Sequence, residues 1–353
     1  MASSDKGPVE IRTAPHLKRS GDVATIMRHV VYALLPVVAY AIWQFGISVL
    51  ALVLTTTAVC MLTERLFSHL QGRGNTLGDW SVVITGILLA LTLPPGFPLW
   101  MAAVAAFIAV ALGKALFGGL GYNVMNPALI GRAFVQAAFP VAITTWTPAF
   151  APGRFTEFIP STLTAPFMQP VPVTDWIASL GVDGFSGATP LALQKFQHIQ
   201  VDTLDLLLGN VVGSSGEAPA LLILLGGLYL AARRMLDWRI PFGVFAGAAA
   251  LAGPLWLYDP VSYPSPLFVW FSGGLMLGAW FMASDMVASP VTPLGAFVYG
   301  ALIGLLTVLI RLFGGLPEGV MYAILLANAA SPLIAAMTQP RPYGATRRRE
   351  DPA

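Results

Sequence analysis

The feature that most constrains the fold of this chain is a series of long apolar stretches that carry almost no charge. Between Trp80 and Gly153 the only charged residues are Lys114 and Arg132. A bilayer-spanning helix needs about 20 apolar residues, so this stretch alone has room for about three crossings. Charged residues make up 10% of the whole chain, whereas a soluble domain carries about 25%. The sequence therefore predicts an integral membrane protein.

Ten apolar runs of roughly membrane length predict an all-α integral membrane protein with about ten transmembrane helices. The runs cover residues 29–45, 47–64, 81–95, 97–114, 126–143, 218–233, 240–257, 265–283, 294–311 and 319–337. Lys and Arg cluster in both tails and in the links after the second and sixth runs. Because cytoplasmic segments of membrane proteins are enriched in these residues, we expect both termini to be cytoplasmic.

The longest polar segment divides the chain into two halves. Residues 144–216 are rich in Pro, Thr and Ser, and by the parity of the crossings they lie on the periplasmic side. A loop of this length is usually functional or disordered. The predicted organisation is a cytoplasmic tail (1–25), a first transmembrane repeat (26–143), a periplasmic loop (144–216), a second transmembrane repeat (217–338) and a basic cytoplasmic tail (339–353).

An internal repeat relates the two halves. The pentapeptide LFGGL occurs at residues 116–120 and 312–316, and its gap-free continuation gives nine identities in eighteen positions. The copies lie five helices apart, and an odd offset reverses direction, so we expect two inverted five-helix repeats. Such repeats place a site near the midplane between broken helices. The prolines after Leu93 and those in residues 283–293 mark candidate breaks, although ordinary proline-containing loops give the same pattern.

A short motif in the polar loop is the strongest chemical signal. Residues 183–190 read DGFSGATP, in which Gly184 and Gly187 permit tight turns. Thr189 followed by Pro190 is typical of a helix N-cap with proline at the first helical position. The threonine hydroxyl is therefore expected at a helix N-terminus, where free backbone amides favour a phosphate. An ordinary helix cap has the same sequence.

This motif resembles the S-G-A-T flavinylation motif, and the chain from residue 25 to residue 338 resembles RnfD, a membrane component of the Rnf electron-transport complexes. NqrB of the sodium-pumping NADH:quinone reductase is a homologue of RnfD, and the shorter chain here favours the Rnf component. The resemblance is carried by residues 118–128 (GGLGYNVMNPA), 283–293 (ASDMVASPVTP) and 317–328 (PEGVMYAILLAN). Met125 and Met286 stand where the family pattern has Phe and Pro.

The resemblance implies that Thr189 carries FMN, joined through its phosphate to the threonine hydroxyl on the periplasmic side. A flavin transferase would attach it, and Asp183, Ser186, Gly187 and Ala188 would belong to the motif that this enzyme recognises. The resemblance also implies a second, non-covalent flavin, riboflavin, within the membrane.

Asn123, Asn126, Arg132 and Asp285 are candidates for this membrane-embedded flavin pocket or for an ion path. A charged residue in an apolar run is costly and is therefore a functional candidate. Arg132 could pair with a flavin phosphate, with backbone carbonyls or with a lipid headgroup, or extend to the interface. Asp285 could accept hydrogen bonds from the flavin, bind a cation or cap the next helix.

Two further features have simpler interpretations. Glu217, before the sixth run, is expected to be an acidic residue favoured by the positive end of a helix. The glycine pairs at 226–227 and 273–274 are expected at close helix contacts.

The resemblance implies a flavin-carrying subunit of an ion-translocating oxidoreductase complex in a bacterial inner membrane. It would relay electrons between ferredoxin- and NAD-linked partners, be coupled to Na⁺ or H⁺ transport, and assemble with RnfA, RnfB, RnfC, RnfE and RnfG. We do not expect the chain to catalyse turnover alone, because GGLGYN has no preceding strand and is not a dinucleotide fingerprint. One cysteine, Cys60, cannot hold an iron–sulfur cluster.

Three other functions are consistent with parts of the sequence. A secondary transporter or channel would share the inverted repeats but would not need the S-G-A-T motif. A scaffolding subunit would not need Thr189 for electron flow. The third is the role of NqrB in the quinone reductase.

Overall fold

The computed structural model describes residues 23–72, 76–180, 187–217 and 219–340, and this part of the chain is helical and has no strands. Its helices are α1 (Val23–Phe45), α2 (Ile47–Leu70), α3 (Ser81–Thr92), α4 (Leu99–Val110), α5 (Pro127–Ala138), α6 (Pro140–Ile143), α7 (Thr174–Ser179), α8 (Pro190–Gln197), α9 (Thr203–Leu208), α10 (Ala220–Ala232), α11 (Arg239–Tyr258), α12 (Pro266–Phe271), α13 (Leu275–Leu277), α14 (Pro293–Phe313) and α15 (Val320–Met337). Two π-helical turns, Ala111–Ala115 and Gly278–Met282, extend α4 and α13. The all-α prediction is confirmed for these residues.

The predicted spans differ in length from the helices that the structure contains. Among the described residues, α1, α2, α11, α14 and α15 are long and apolar enough to cross a membrane. The other five runs form shorter or interrupted helices: α3 has 12 residues, for example, and α10 has 13. The breaks follow the expectation of interrupted helices, because proline and glycine pairs end α3 and α12 inside their apolar runs.

Helix α3 stops at a proline pair, and a distant segment bonds the backbone groups that the break exposes. Leu93 is extended, with φ −93° and ψ 153°, and Pro94 follows it. The Leu93 carbonyl accepts hydrogen bonds from the Ser215 amide at 3.1 Å and from the Ser215 hydroxyl at 2.9 Å. The Gly216 amide donates to the Leu91 carbonyl at 2.7 Å. Inside a membrane protein, freed carbonyls must find such partners, so the segment before α10 completes this break.

Helix α12 ends in a second break, which an arginine from α14 completes. Ser272 is extended, with φ −88° and ψ 141°, and Gly273 adopts a left-handed φ of 59°. The Arg311 guanidinium donates to the Val269 carbonyl at 2.8 Å and to the Ser272 carbonyl at 2.9 Å. The glycine pair at 273–274 lies in the break between α12 and α13. Gly273 is also at a close helix contact, as predicted, because a Cβ there would lie 2.5 Å from Leu191 Cδ1 of α8.

The two halves use the same order of packing partners. Helix α2 packs against α3 and α4, and α4 packs against α5; likewise α11 packs against α12 and α14, and α14 against α15. Helices α1 and α10 contact each other between these groups. Gly226 permits that approach, because a Cβ there would lie 2.9 Å from the Ala33 carbonyl oxygen. The glycine pair at 226–227 therefore serves close packing, as predicted.

The two copies of LFGGL have different backbone conformations. Gly118 and Gly119 have φ values of 114° and 100°, which only glycine adopts readily. In the second copy Gly314 has φ −75° and ψ 166°. The shared pentapeptide therefore forms a tight loop after α4 and an extended exit after α14.

The described parts of the polar loop fold back onto the helices. The Ile47 amide donates to the Arg154 carbonyl at 2.9 Å, and the Phe150 amide donates to the Gln44 carbonyl at 2.9 Å. Leu191 of α8 joins Leu206 and Phe268 in a small apolar cluster. These contacts fix the position of α8, which begins immediately after Thr189.

Candidate functional site

Thr189 is the N-cap of α8. It has φ −73° and ψ 158°, its hydroxyl oxygen accepts a hydrogen bond from the Ala192 amide at 3.3 Å, and Pro190 is the first helical residue. This local geometry is the one that the sequence predicted. Gly187 precedes it with a left-handed φ of 64°. Asp183 and Ser186 of the motif lie outside the described residues.

The side chain of Thr189 faces a small cavity of about 290 Å³, and only 4% of the residue is exposed. The cavity wall includes Gly213, Glu217 and Gly273. A Cβ at Gly273 would lie 2.5 Å from Leu191 Cδ1 and 3.1 Å from Arg311 Nη2. Glycine is therefore required where this wall passes between α8 and α14.

Helix α8 is also tied to the loop that follows α14. Lys195 donates hydrogen bonds to the carbonyls of Gly314 and Leu316. Partial burial lowers the pKa of the Lys195 ammonium group below its ordinary value. The second copy of LFGGL thus helps to hold the helix that begins at Thr189.

A second cavity, of about 500 Å³, lies between the two broken helices and is lined by four charged residues. We call it the four-charge cavity; its charged residues are Arg132, Glu217, Arg311 and Glu318. Arg132 forms an ion pair with Glu318 and donates to the Thr92 carbonyl at the end of α3. Arg132 therefore binds a backbone carbonyl, which is one of the partners considered from the sequence, and a carboxylate, which was not considered.

The other two charges in this cavity have no charged partner within ion-pair distance among the described residues. Arg311 is bonded to the two carbonyls at the end of α12. Glu217 accepts from the Ser214 hydroxyl at 2.8 Å and from the Ser214 amide at 3.4 Å. Each arginine therefore completes a helix break, and Glu217 lines both this cavity and the cavity beside Thr189.

Several polar atoms of the four-charge cavity have no protein partner. Arg132 Nε, Arg311 Nε and Glu318 Oε1 are buried without a hydrogen bond. Sequence reasoning did not single out Arg311, and it gave Glu318 no role. The available signal was that Arg311 is the only charged residue in the run that became α14, since an isolated charge in a membrane helix is a functional candidate.

A larger cavity, of about 800 Å³, brings together three of the predicted site residues. We call it the interior cavity; Asn123, Asn126 and Asp285 line it, as do Lys114, Trp280 and Ser284. The Asn123 amide donates to the Asp285 carboxylate at 3.3 Å. Asp285 also accepts from the Val287 amide at 3.1 Å, within its own turn. Arg132, grouped with these residues from the sequence, lies in the four-charge cavity instead.

Asn126 connects the two halves at the edge of the interior cavity. Its side-chain oxygen caps α5 by accepting from the amides of Ala128 at 3.0 Å and Leu129 at 3.4 Å. Its side-chain amide donates to the Met282 carbonyl at 3.2 Å. The cap on one broken segment is therefore bonded to the π-helical turn of the other.

Lys114 forms a buried polar network at the wall of the interior cavity. Its ammonium group donates to Glu64 at 2.9 Å and to the Ser81 hydroxyl at 2.7 Å, and Asp79 lies 3.9 Å away. Both members of the Lys114–Glu64 pair are buried. Such pairs are retained where geometry and further hydrogen bonds compensate for desolvation.

The composition of the interior cavity suits a flat, partly polar ligand. Its volume falls in the range of ordinary ligand sites, about 300–1,000 Å³. Trp280 is 7% exposed, lines the cavity, and its indole Nε1 has no protein partner. Aromatic side chains from Trp280 and Phe281 and polar groups from Asn123 and Asp285 are what an isoalloxazine ring would need. The residues present therefore fit a flavin.

The fold and these sites define a multi-pass helical membrane protein with a ligand-sized interior cavity and two buried charge networks. The chain belongs to the NQR2, RnfD, RnfE family, whose model matches residues 10–344.

Three relatives are similar to the chain over nearly its whole length. The D subunit of an ion-translocating oxidoreductase complex from Alcanivorax borkumensis is 40% identical, covering 94% of this chain and 96% of the relative. The D subunit of the Na⁺-translocating ferredoxin:NAD⁺ oxidoreductase complex of Acetobacterium woodii is 39% identical, covering 96% of each. The D subunit of the proton-translocating ferredoxin:NAD⁺ oxidoreductase complex of Clostridium ljungdahlii is 35% identical, covering 98% of this chain and 99% of the relative.

Proposed function

We propose that this chain is a flavin-carrying membrane subunit of an ion-translocating oxidoreductase complex and that it relays electrons between ferredoxin- and NAD-linked partners. The observation that carries the proposal is the position of Thr189. Its hydroxyl caps α8 and faces a cavity whose wall includes two glycines. Family membership and the names of the relatives support the same function.

The residues around Thr189 suit a phosphate ester. The N-terminus of α8 offers the positive end of a helix dipole to an anion. Gly213 and Gly273 line the wall beside the hydroxyl, and neither adds a side chain to the cavity. FMN attached there would supply one-electron and two-electron chemistry. Thr189 would hold the ester oxygen in a position that is largely shielded from solvent, and Glu217 would set the charge beside it.

We propose the interior cavity as the site of the second flavin, riboflavin, which the resemblance implies. Asn123, Asp285 and the unpartnered Nε1 of Trp280 would bind its polar edges. Asn126 would act indirectly, because its side chain is committed to capping α5 and to Met282. Arg132, which pairs with Glu318, would serve the four-charge cavity rather than this flavin.

For the architecture we propose ten crossings in two inverted five-helix repeats, with both termini cytoplasmic and the flavin loop periplasmic in a bacterial inner membrane. The recurrent packing order of α2–α5 and of α11, α12, α14 and α15 supports the repeat. The two helix breaks, at the ends of α3 and α12, occupy matching places in the two halves and support it as well.

We propose RnfA, RnfB, RnfC, RnfE and RnfG, the other members of an Rnf complex, as partners, and a flavin transferase for maturation. Two relatives of similar identity differ in the ion that their names give, Na⁺ for one and a proton for the other. The coupling ion is therefore a property to be measured on this complex.

In-gel flavin fluorescence tests the proposal. The complex is purified from cells that make the transferase, denatured and run on a gel, with the Thr189→Ala variant alongside. We expect a fluorescent band at the mass of this chain that disappears in Thr189→Ala and persists in the control Thr156→Ala, which changes an exposed threonine of the same loop. A solute permease would show no fluorescent band, and a scaffolding subunit would keep full electron flux in Thr189→Ala membranes.

A further inference from the structure

We propose that Glu217 and the four-charge cavity form a hydrated proton site, which takes up one proton when the flavin on Thr189 accepts an electron. This inference rests on the proposed function. Glu217 is the residue that connects the two places, since it lines both the cavity beside Thr189 and the four-charge cavity. A Cβ at Gly213, in the wall beside Thr189, would lie 2.9 Å from Glu217 Oε2.

Glu217 is a buried carboxyl group whose only described hydrogen-bond partner is Ser214. The residue is 7% exposed, and the hydroxyl and amide of Ser214 donate to its two oxygens. No described Lys or Arg lies within ion-pair distance of it. A carboxyl group in such surroundings can hold or release a proton without breaking an ion pair, unlike Glu318, which is paired with Arg132.

The four-charge cavity offers hydrogen bonds that only a small ligand can satisfy. Arg132 and Arg311 are each 6% exposed, and the Nε donor of each has no protein partner. Glu318 Oε1 is an acceptor without a partner in the same cavity. Unmatched donors and an unmatched acceptor together favour water, which provides both functions and makes two to four hydrogen bonds at buried sites. Water there would give protons a path to Glu217.

The charges around Glu217 favour proton uptake upon reduction of the flavin. The four-charge cavity presents Arg132 from α5, Arg311 from α14 and Glu318 from the segment before α15, together with the phenol of Tyr322 from α15. Two arginines and two carboxylates make the cavity formally neutral. An electron gained by a flavin on Thr189 would add negative charge on the side of Glu217 that lines the Thr189 cavity, and a proton on Glu217 would compensate for it.

The proposed step is balanced in charge and atoms. FMN held at Thr189 would take the electron from a reduced redox centre of a partner subunit. A Glu217 carboxylate oxygen would take the proton from a hydronium ion delivered through water in the cavity, so that an O–H bond forms on Glu217, one breaks in the hydronium ion, and a water molecule is left. Glu217 would return the proton to water after the electron had moved on.

The test is a spectroelectrochemical titration of the Thr189 flavin in the purified complex at a series of pH values, with Glu217→Gln alongside the wild type. We expect the wild-type midpoint potential to fall as the pH rises and the slope to drop by at least half in Glu217→Gln. The infrared difference spectrum should show a protonated carboxyl band on reduction that Glu217→Gln lacks. The control, Glu157→Gln, changes an exposed carboxylate of the polar loop and should keep the wild-type slope and the carboxyl band.

An unchanged slope and an unchanged carboxyl band in Glu217→Gln would overturn the inference. If that variant does not assemble, Ser214→Ala replaces it. Loss of the hydroxyl that donates to Glu217 at 2.8 Å should raise the proton affinity of Glu217 and so move to higher pH the point at which the midpoint potential changes slope. A point that does not move would overturn the inference. A potential that responds to Na⁺ but not to pH would overturn it in favour of a metal cation.

The two proposals fail in distinguishable ways. Absence of a fluorescent band in the wild type contradicts the proposed function and, with it, this inference. A fluorescent band together with a Glu217-independent pH profile contradicts the inference alone.

Discussion

The side-chain amide of Asn126 donates to the backbone carbonyl oxygen of Met282 at 3.2 Å, while the oxygen of the same side chain caps α5. One residue thus ties the start of a helix in the first half to the π-helical turn of the second. Because Asn126 and Met282 lie on the walls of different cavities, the bond also forms part of the partition between the interior cavity and the four-charge cavity.

Substitution of Asn126 should separate these two roles. Asn126→Ser keeps a capping oxygen and loses the amide donor to Met282, whereas Asn126→Ala loses both. We expect Asn126→Ala to lower the free energy of unfolding by about 1–2 kcal/mol from the lost cap alone, with a smaller loss for Asn126→Ser. Thermal unfolding in detergent, monitored by size-exclusion chromatography, measures the stability loss of each variant. Equal losses would show that the cap contributes nothing.

The ion pair between the buried Arg132 and the partly buried Glu318 should be more sensitive to substitution than a surface pair. Glu318→Gln leaves a buried guanidinium without its carboxylate, and removing one partner of a buried pair costs about 3–5 kcal/mol. The control is Asp237→Asn, which breaks the largely exposed Arg239–Asp237 pair of 3.4 Å and should cost about 0–1 kcal/mol. Chemical denaturation in micelles compares the two. Similar costs would contradict the burial of the Arg132 pair.

Gly273 should tolerate no side chain, because its neighbours leave no space. Gly273→Ala would bring a Cβ against Leu191 and Arg311 beside the Thr189 cavity. We expect reduced flavin attachment at Thr189, seen as a weaker in-gel fluorescent band per mole of protein. The control, Gly72→Ala, has a similar left-handed φ of 64° but no atom within 4 Å of the added Cβ. Its band should match that of the wild type, and a Gly273→Ala band of equal strength would refute the steric account.

Trp280 should contribute to non-covalent flavin binding through its unpartnered indole nitrogen. Trp280→Phe keeps an aromatic ring and removes the donor, so we expect flavin affinity to fall about threefold to tenfold, the worth of one hydrogen bond. Trp270→Phe is the control, because Trp270 Nε1 already donates to the Phe245 carbonyl at 3.0 Å and the residue does not line the cavity. After the bound flavin has been extracted, fluorescence titration with riboflavin measures the affinity of each variant. Equal affinities would place the flavin elsewhere.

Much of the helix pattern could be predicted from the sequence because lipid leaves few alternatives. Each of the ten apolar runs corresponds to a helical segment, and Pro94 marks the end of α3. The lengths of several helices were overestimated, because hydropathy indicates which residues avoid water but does not indicate where a helix ends. The π-helical turns at Ala111–Ala115 and Gly278–Met282 depend on tertiary contacts and left no local signal.

The candidate sites were predictable only where the signal was local. The cap at Thr189 follows from a threonine–proline pair, and Asn123 and Asp285, which the sequence grouped as candidates for one pocket, do contact each other. The partnership of Arg132 with Glu318, and the place of Glu217 between two cavities, could not be predicted. Those relationships join residues far apart in the chain, and only the folded helices bring them together.

The account depends most directly on the chemistry of Thr189, and a mass measurement of the peptide that contains this residue tests it. The native complex is purified from cells that make the flavin transferase, and this chain is digested and analysed by mass spectrometry. We predict that the peptide carries the added mass of FMN less one water, and that fragmentation locates this mass on Thr189. An unmodified Thr189 in a complex that retains its electron-transfer activity would contradict the account.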